Sequence, residues 1–135
     1  MTIEAGRISL RLAYLAQEIY KYLDVITEWI PDFYDIIVRQ RLSSGHLRLR
    51  DGTSIILFEK YQILEHQLLI ARYAYCWYDA GGKRLLRADN SPHHDVITKP
   101  HHVHDFRGTE EVIHPFLGQD KDMPDITMFF VLLKS

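Results

Sequence analysis

Histidine is concentrated in one stretch of this 135-residue chain, where the same tripeptide occurs twice. Residues 87–104 read RADNSPHHDVITKPHHVH, with Pro-His-His at 92–94 and again at 100–102. Histidine titrates near neutrality, so two positioned imidazoles can act as acid and base at one reacting centre. We therefore predict that this stretch is the functional centre.

The residue types in this stretch are those needed to cleave RNA without a metal. A base takes the proton of the 2′-hydroxyl, a cation stabilises the phosphate, and an acid protonates the leaving oxygen. If the backbone at 102–104 is extended, the imidazoles of His102 and His104 lie on one side, because side chains alternate along a strand. The residues assigned to catalysis are His93, His94, His102 and His104, with Asp89 orienting an imidazole.

The expected substrate contacts lie beside the two histidine pairs. Arginine can hold a phosphate by two hydrogen bonds, whereas lysine acts as a point charge. The residues assigned to substrate binding are Arg87, Lys99, Asn90 and His101. This chemistry requires no cofactor.

Two alternatives remain open for the same residues. The first is a hydrolase or nuclease that binds a divalent metal such as zinc or manganese, although the spacing matches no zinc signature. Its ligands would be His94, His102 and His104, completed by Asp89 or Asp95. The second is a protein-interaction module without enzymatic activity, in which the histidines are structural. Chelation of the metal would separate the first alternative from metal-free cleavage.

The patterns around this stretch predict one helix followed by strands. Apolar residues recur every three or four positions over 8–30, which predicts an amphipathic helix ending before Pro31. Strands are predicted at 34–42, 46–50, 53–61, 67–78 and 83–88, with turns at 43–45, 51–52 and 79–82. The segment from Asp89 to about Gly108 is predicted to be a histidine-rich loop, and 125–133 a short helix.

These elements predict an α+β fold in a single domain spanning 1–135. Consecutive strands with short links favour an antiparallel meander, and the N-terminal helix would pack on one face of that twisted sheet. Tyr73, Tyr75 and Trp77 share one face by alternation and are interpreted as core.

Composition narrows the function classes. The net charge is −2, so the overall charge gives no argument for nucleic acid, which would need a local patch. The single cysteine, Cys76, is typical of a protein from the reducing cytoplasm. No uncharged run approaches about 18 residues, which predicts neither a transmembrane helix nor a signal peptide.

Most of the chain from about residue 34 onward resembles the TumE-type toxins of toxin–antitoxin modules. The resemblance rests on RADNSPHH at 87–94 and PHHVH at 100–104, which follow the family pattern RxDNAPHH and PHHxH. Asp51-Gly52-Thr53 stands where the family has a D-G-S turn, and 124–126 resembles the start of its final helix. Ser91 replaces the usual alanine, and Lys99 stands where an aromatic residue is common.

This resemblance implies a growth-inhibiting toxin and a partner that neutralises it. The implied partner is a small helix-turn-helix antitoxin encoded beside the toxin, and RNA is the expected target by analogy with other small toxins. No membrane association is expected, and a homodimer is left open.

Overall fold

The computed structural model describes residues 2–43, 47–120 and 123–135 and shows an α+β architecture. The helices are α1 Ile3–Tyr22, α2 Phe33–Arg39 and α3 Ile126–Leu133. The strands are β1 Arg41–Ser43, β2 Leu47–Arg48, β3 Ser54–Leu64, β4 Gln67–Tyr78, β5 Arg84–Asp89, β6 His102–Asp105 and β7 Val112–Pro115. Among these helices, none is long and apolar enough to cross a membrane.

The strands form one antiparallel sheet in the order β1-β3-β4-β5-β6-β7, and β2 pairs with the first two residues of β3. The chain reverses between β2 and β3 at Asp51-Gly52, where Gly52 has a φ of 88°, a conformation that glycine adopts without strain. The predicted meander and the predicted turns at 51–52 and 79–82 are confirmed. The predicted turn at 43–45 and the first residue of the strand at 46–50 lie largely outside the described residues.

The prediction of one helix over 8–30 is wrong at both ends. Thr2 caps α1, its hydroxyl accepting a hydrogen bond from the backbone N–H of Ala5 at 3.0 Å. The helix ends at Tyr22 because the chain then pairs with β2: the Ile26 N–H donates to the carbonyl of Arg48 at 2.8 Å. The apolar period continues past this point, but tertiary hydrogen bonding overrides it.

The prediction of a strand over 34–42 is wrong, since most of this segment is helix α2. Asp32 caps it by accepting from the Asp35 N–H at 3.2 Å, and Arg39 forms an ion pair with Asp35 at 3.3 Å. Only one turn is buried, at Ile36, which is too little to produce a helical stripe in the sequence.

The predicted loop from Asp89 to Gly108 is partly strand. The loop runs from 90 to 101 and contains the first Pro-His-His copy and the first two residues of the second, and His102–Asp105 then adds to the sheet as β6. Strand β7, which the sequence patterns did not indicate, pairs with β6 and forms the sheet edge. The predicted C-terminal helix is confirmed as α3, capped by Asp125.

Helices α1 and α3 cover one face of the sheet. Their apolar side chains pack with every second residue of the central strands, a core that includes Leu15, Ile19, Leu57, Tyr75, Leu86, Ala88, Val103 and Phe129. Tyr73 and Tyr75 are buried there, as predicted, and Trp77 is partly buried against the same core. The residues alternating with these strand positions therefore lie on the opposite face, which we call the open face.

Candidate metal centre on the open face

The histidine site begins at two cross-strand pairs between β5 and β6. Asp89 is opposite His102 and Arg87 is opposite His104, and all four alternate with core residues. Side chains opposite each other in an antiparallel pair lie close together on one face. The sheet therefore brings both imidazoles to the same carboxylate.

The loop at 90–101 adds a third imidazole. The ring of His94 lies 4.6 Å from the ring of His102 and 4.9 Å from that of His104, between centroids. The start of this loop is anchored where the Ser91 N–H donates to Asp89 Oδ1 at 2.9 Å. One nitrogen from each of the three histidines lies within 4.8 Å of the others.

Hydrogen bonds on the far side of two rings determine their tautomers. Nδ1 of His102 lies 2.8 Å from the carbonyl oxygen of Pro100, and Nδ1 of His104 lies 2.6 Å from the carboxylate of Glu111. A carbonyl or an ionised carboxylate can only accept, so both Nδ1 atoms carry a proton. In the neutral rings, each Nε2 is then an acceptor.

These two Nε2 atoms point at each other and at one carboxylate. They are 3.1 Å apart, and they lie 3.1 Å (His102) and 3.6 Å (His104) from the two oxygens of Asp89. Three acceptors at these distances repel one another unless a positive charge lies between them. Either a shared proton or a metal cation satisfies this arrangement.

The Asp89 carboxylate is held in its ionised form. Burial raises the pKa of Asp89, but hydrogen bonds from Arg87 and the Ser91 N–H, together with the charge of Arg87, outweigh it and leave a lowered pKa. The Arg87 Nε donates to Asp89 Oδ2 at 2.8 Å. The site therefore contains a fixed negative charge next to the two acceptor nitrogens.

The Nε2 atoms of His102 and His104 have the spacing of two ligands of one divalent transition metal. Bonds of about 2.0–2.1 Å in a tetrahedron separate ligand atoms by about 3.3 Å, close to the 3.1 Å between the two Nε2 atoms. Histidine ligands in metal sites also donate their second nitrogen to a carbonyl or carboxylate, as His102 and His104 do here. His94 would be the third ligand, leaving a position for water or substrate.

The structure does not bring all of the sequence-predicted residues into this cluster. His93 and Lys99 are exposed on the loop, and His93 is outside the group of three close nitrogens. His101 is buried beside the core, with its Nδ1 2.7 Å from the hydroxyl of Tyr73. The side chain of Asn90 binds the backbone of β4: its Oδ1 accepts a hydrogen bond from the Tyr73 N–H at 3.1 Å, next to the last backbone pair between β4 and β5.

Glu111 is the site residue that the sequence patterns did not indicate. It precedes β7 and reaches His104 because β6 and β7 form a hairpin. Since β7 itself was not predicted, nothing in the sequence linked a carboxylate at this position with the histidines. The contact of His102 with the Pro100 carbonyl is likewise not indicated by the sequence pattern, although Pro100 belongs to the second Pro-His-His copy.

Fold and site together define an α+β protein with a three-histidine site on the face of an antiparallel sheet opposite its helices. The sequence model of a known family, described as Toxin TumE, matches residues 19–128, which is most of the chain. The chain therefore belongs to the TumE toxin family. Comparison with curated proteins and with solved structures found no match. A toxin role follows from the family, as does the existence of an antitoxin that neutralises it.

Proposed function

We propose that this toxin is a metal-dependent endoribonuclease whose metal is held by His94, His102 and His104. The observation that supports this most is the convergence of two acceptor Nε2 atoms on one carboxylate, with both Nδ1 protons committed elsewhere. His102 is fully buried and His94 and His104 are partly exposed, so a substrate would reach the site from the face of the sheet opposite the helices.

The short distance between the Nε2 atoms of His102 and His104 favours the metal-dependent mechanism over the metal-free one. A base and an acid acting in line on opposite sides of a phosphorus each need a hydrogen bond of about 2.6–3.2 Å to their oxygen, so their nitrogens stand more than about 5 Å apart. His102 and His104 have their Nε2 atoms 3.1 Å apart. That separation suits two ligands of one ion.

The remaining residues of the site have distinct roles in this proposal. A divalent metal held by the three histidines would lower the pKa of a bound water towards 7 and so supply a nucleophile. Asp89, ionised and 3.1 Å from the His102 nitrogen, would be placed to accept a proton there. Arg87, fixed by Asp89 through its Nε, presents its outer nitrogens to the phosphate.

The test is RNA cleavage by protein that carries no affinity tag of histidines. We expect cleavage to be lost in chelator and restored by zinc or manganese, and His94→Ala to reduce it by at least about a hundredfold. His93→Ala is the matched control, because its side chain is exposed and outside the three-nitrogen group. Full activity of His94→Ala, or no RNA cleavage with any metal, would overturn the proposal.

Metal-free acid–base cleavage by the same histidines is the second candidate. The 3.1 Å approach of the two Nε2 atoms also allows a single shared proton, making one ring an imidazolium and the other a base. Undiminished cleavage by protein shown by metal analysis to contain no bound metal would favour it. No RNA cleavage and no metal binding would instead favour the interaction module.

The family, rather than the geometry, supports the proposals for the partner and the compartment. We infer a small helix-turn-helix antitoxin encoded beside the toxin, acting in the cytoplasm, because toxins of this kind act on targets inside the cell that makes them. Co-expression of the neighbouring gene product should restore growth and yield a co-purifying complex. Size-exclusion chromatography of the toxin alone decides between monomer and homodimer.

A further inference from the structure

The open face carries a row of positive side chains across three strands. Arg41 of β1 is opposite Lys60 of β3, and Lys60 is opposite Arg72 of β4. Lys60 alternates with the buried Glu59, which lies on the helix-covered face, so the three positively charged residues belong to the open face. Like charges in directly opposed positions destabilise a sheet, and a bound polyanion removes this cost.

The charge of this face differs from that of the whole chain. The net charge of the protein is −2, yet the open-face positions of β3, β4 and β5 carry Lys60, Arg72 and Arg87. The acidic residue among those strand positions is Asp89, which belongs to the histidine site. A basic surface on an acidic protein indicates a local binding function for an anion.

The basic row leads directly to the histidine site. Arg72 Nη2 donates to the hydroxyl of Ser91 at 3.2 Å, and the Ser91 N–H donates to Asp89. Adjacent strands are about 4.8 Å apart, so the row from Arg41 to Arg72 spans about 10 Å, enough for two consecutive phosphates of an extended strand. A chain lying across the sheet along this row therefore enters the site from one side.

Aromatic side chains lie on the same face. Phe58 is opposite the small Ala74, which is opposite Asp89, so a shallow path runs from its ring to the site. At the end of the sheet nearer Tyr78, the Arg84 guanidinium lies 6.0 Å from the Tyr78 ring and 5.9 Å from that of Phe106. The Phe106 ring stacks on His104 at 6.0 Å. Half-buried rings beside cations are the elements that stack and hold unpaired bases.

We propose that the open face is the binding platform for single-stranded RNA, with Lys60 and Arg72 contacting its phosphates. This inference rests on the proposed function, because it names the substrate of the same site. A duplex is disfavoured, since its bases are already stacked and cannot use Phe58 or Phe106. Arg41 contributes less than the other two because it is 3.5 Å from Asp35.

The experiment measures binding of a labelled single-stranded RNA by fluorescence anisotropy, with chelator present so that the RNA stays intact. We expect Lys60→Glu/Arg72→Glu to weaken binding by at least about tenfold. We also expect the salt dependence to fall: the slope of log K against log salt should decrease by about 1.4 for two lost phosphate contacts. The same RNA in a duplex should bind more weakly than the single strand.

The matched control is Arg7→Glu/Lys21→Glu, which changes the net charge equally on exposed positions of α1, behind the sheet. This variant should bind RNA nearly as the wild type does, and thermal melting should show both variants folded. Equal weakening by the two variants, or equal binding of duplex and single strand, would overturn the inference. Binding that depends on Lys60 and Arg72 without any cleavage would instead reject the proposed function and leave the platform standing.

Discussion

His104 depends on one carboxylate for its orientation. Glu111 is 2.6 Å from Nδ1 and half-exposed, whereas His102 has a backbone carbonyl in the equivalent position. Mutating the acceptor behind a ligating histidine typically lowers metal affinity by 10–100-fold. Glu111 is thus the side chain through which the site can be tuned without removing a ligand.

We expect Glu111→Gln to weaken zinc binding by about 10–100-fold, because an amide is a poorer acceptor and no longer adds negative charge behind the ring. Titration with a competing chromophoric chelator measures this. Glu110→Gln is the control, since Glu110 is the adjacent exposed carboxylate. Equal affinities of the two variants would show that the Glu111 contact does not orient a ligand.

Helix α1 is joined to the sheet by a buried ion pair. Arg11 donates to both carboxylate oxygens of Glu59, at 3.1 and 2.6 Å, and Glu59 also accepts from the hydroxyls of Tyr61 and Tyr75. Burial and the charge of Glu59 raise the pKa of both tyrosines, so both hydroxyls remain donors. Glu59 is fully buried, so its charge requires every one of these partners.

We expect Arg11→Met to destabilise the protein by about 3–5 kcal/mol, because it leaves the Glu59 carboxylate buried without its counter-charge. The double variant Arg11→Met/Glu59→Met should be more stable than the single one, since it removes the charge altogether. Urea unfolding followed by circular dichroism gives both free energies of unfolding. Additive losses in the double variant would mean that the pair is not energetically coupled.

The elements differ in how well their residues predict them. Strands β3, β4 and β5 follow alternation and turn residues such as Asp51-Gly52, both local properties of the sequence. Helix α2 and the end of α1 depend on capping by Asp32 and on pairing of Val25 with Leu49 across the fold. Strand β7 is exposed at the edge, so its burial pattern carries no clear period.

In the site, too, residues placed by local sequence patterns could be predicted, whereas those placed by contacts across the fold could not. His94, His102, His104 and Asp89 were predictable because two Pro-His-His copies and the alternation at 102–104 are local. The side-chain position of His101 could not be predicted in this way, because it depends on a contact with Tyr73, a residue of another strand. Placing the helices on one face leaves the site on the other, where His102 is buried and the partly exposed rings of His94 and His104 form its accessible side.

Metal binding should be visible in the stability of the whole molecule. The three proposed ligands come from β6 and from the loop before it, so they converge only in the folded chain. A ligand that binds the folded state alone stabilises it by about 2.7 kcal/mol at a hundred times its dissociation constant. For a chain of this size that shift corresponds to roughly 10 °C in Tm.

We therefore expect zinc to raise the Tm of the wild type and of His93→Ala by up to about 10 °C, with unfolded-state binding reducing the shift. His94→Ala should melt near the wild type in chelator, because its loop position is only half-buried, but should gain little from zinc. Differential scanning calorimetry measures all three proteins. If zinc raised the Tm of His94→Ala as much as that of the wild type, the metal would bind elsewhere. His93→Ala is the control because His93 is the adjacent histidine and lies outside the cluster.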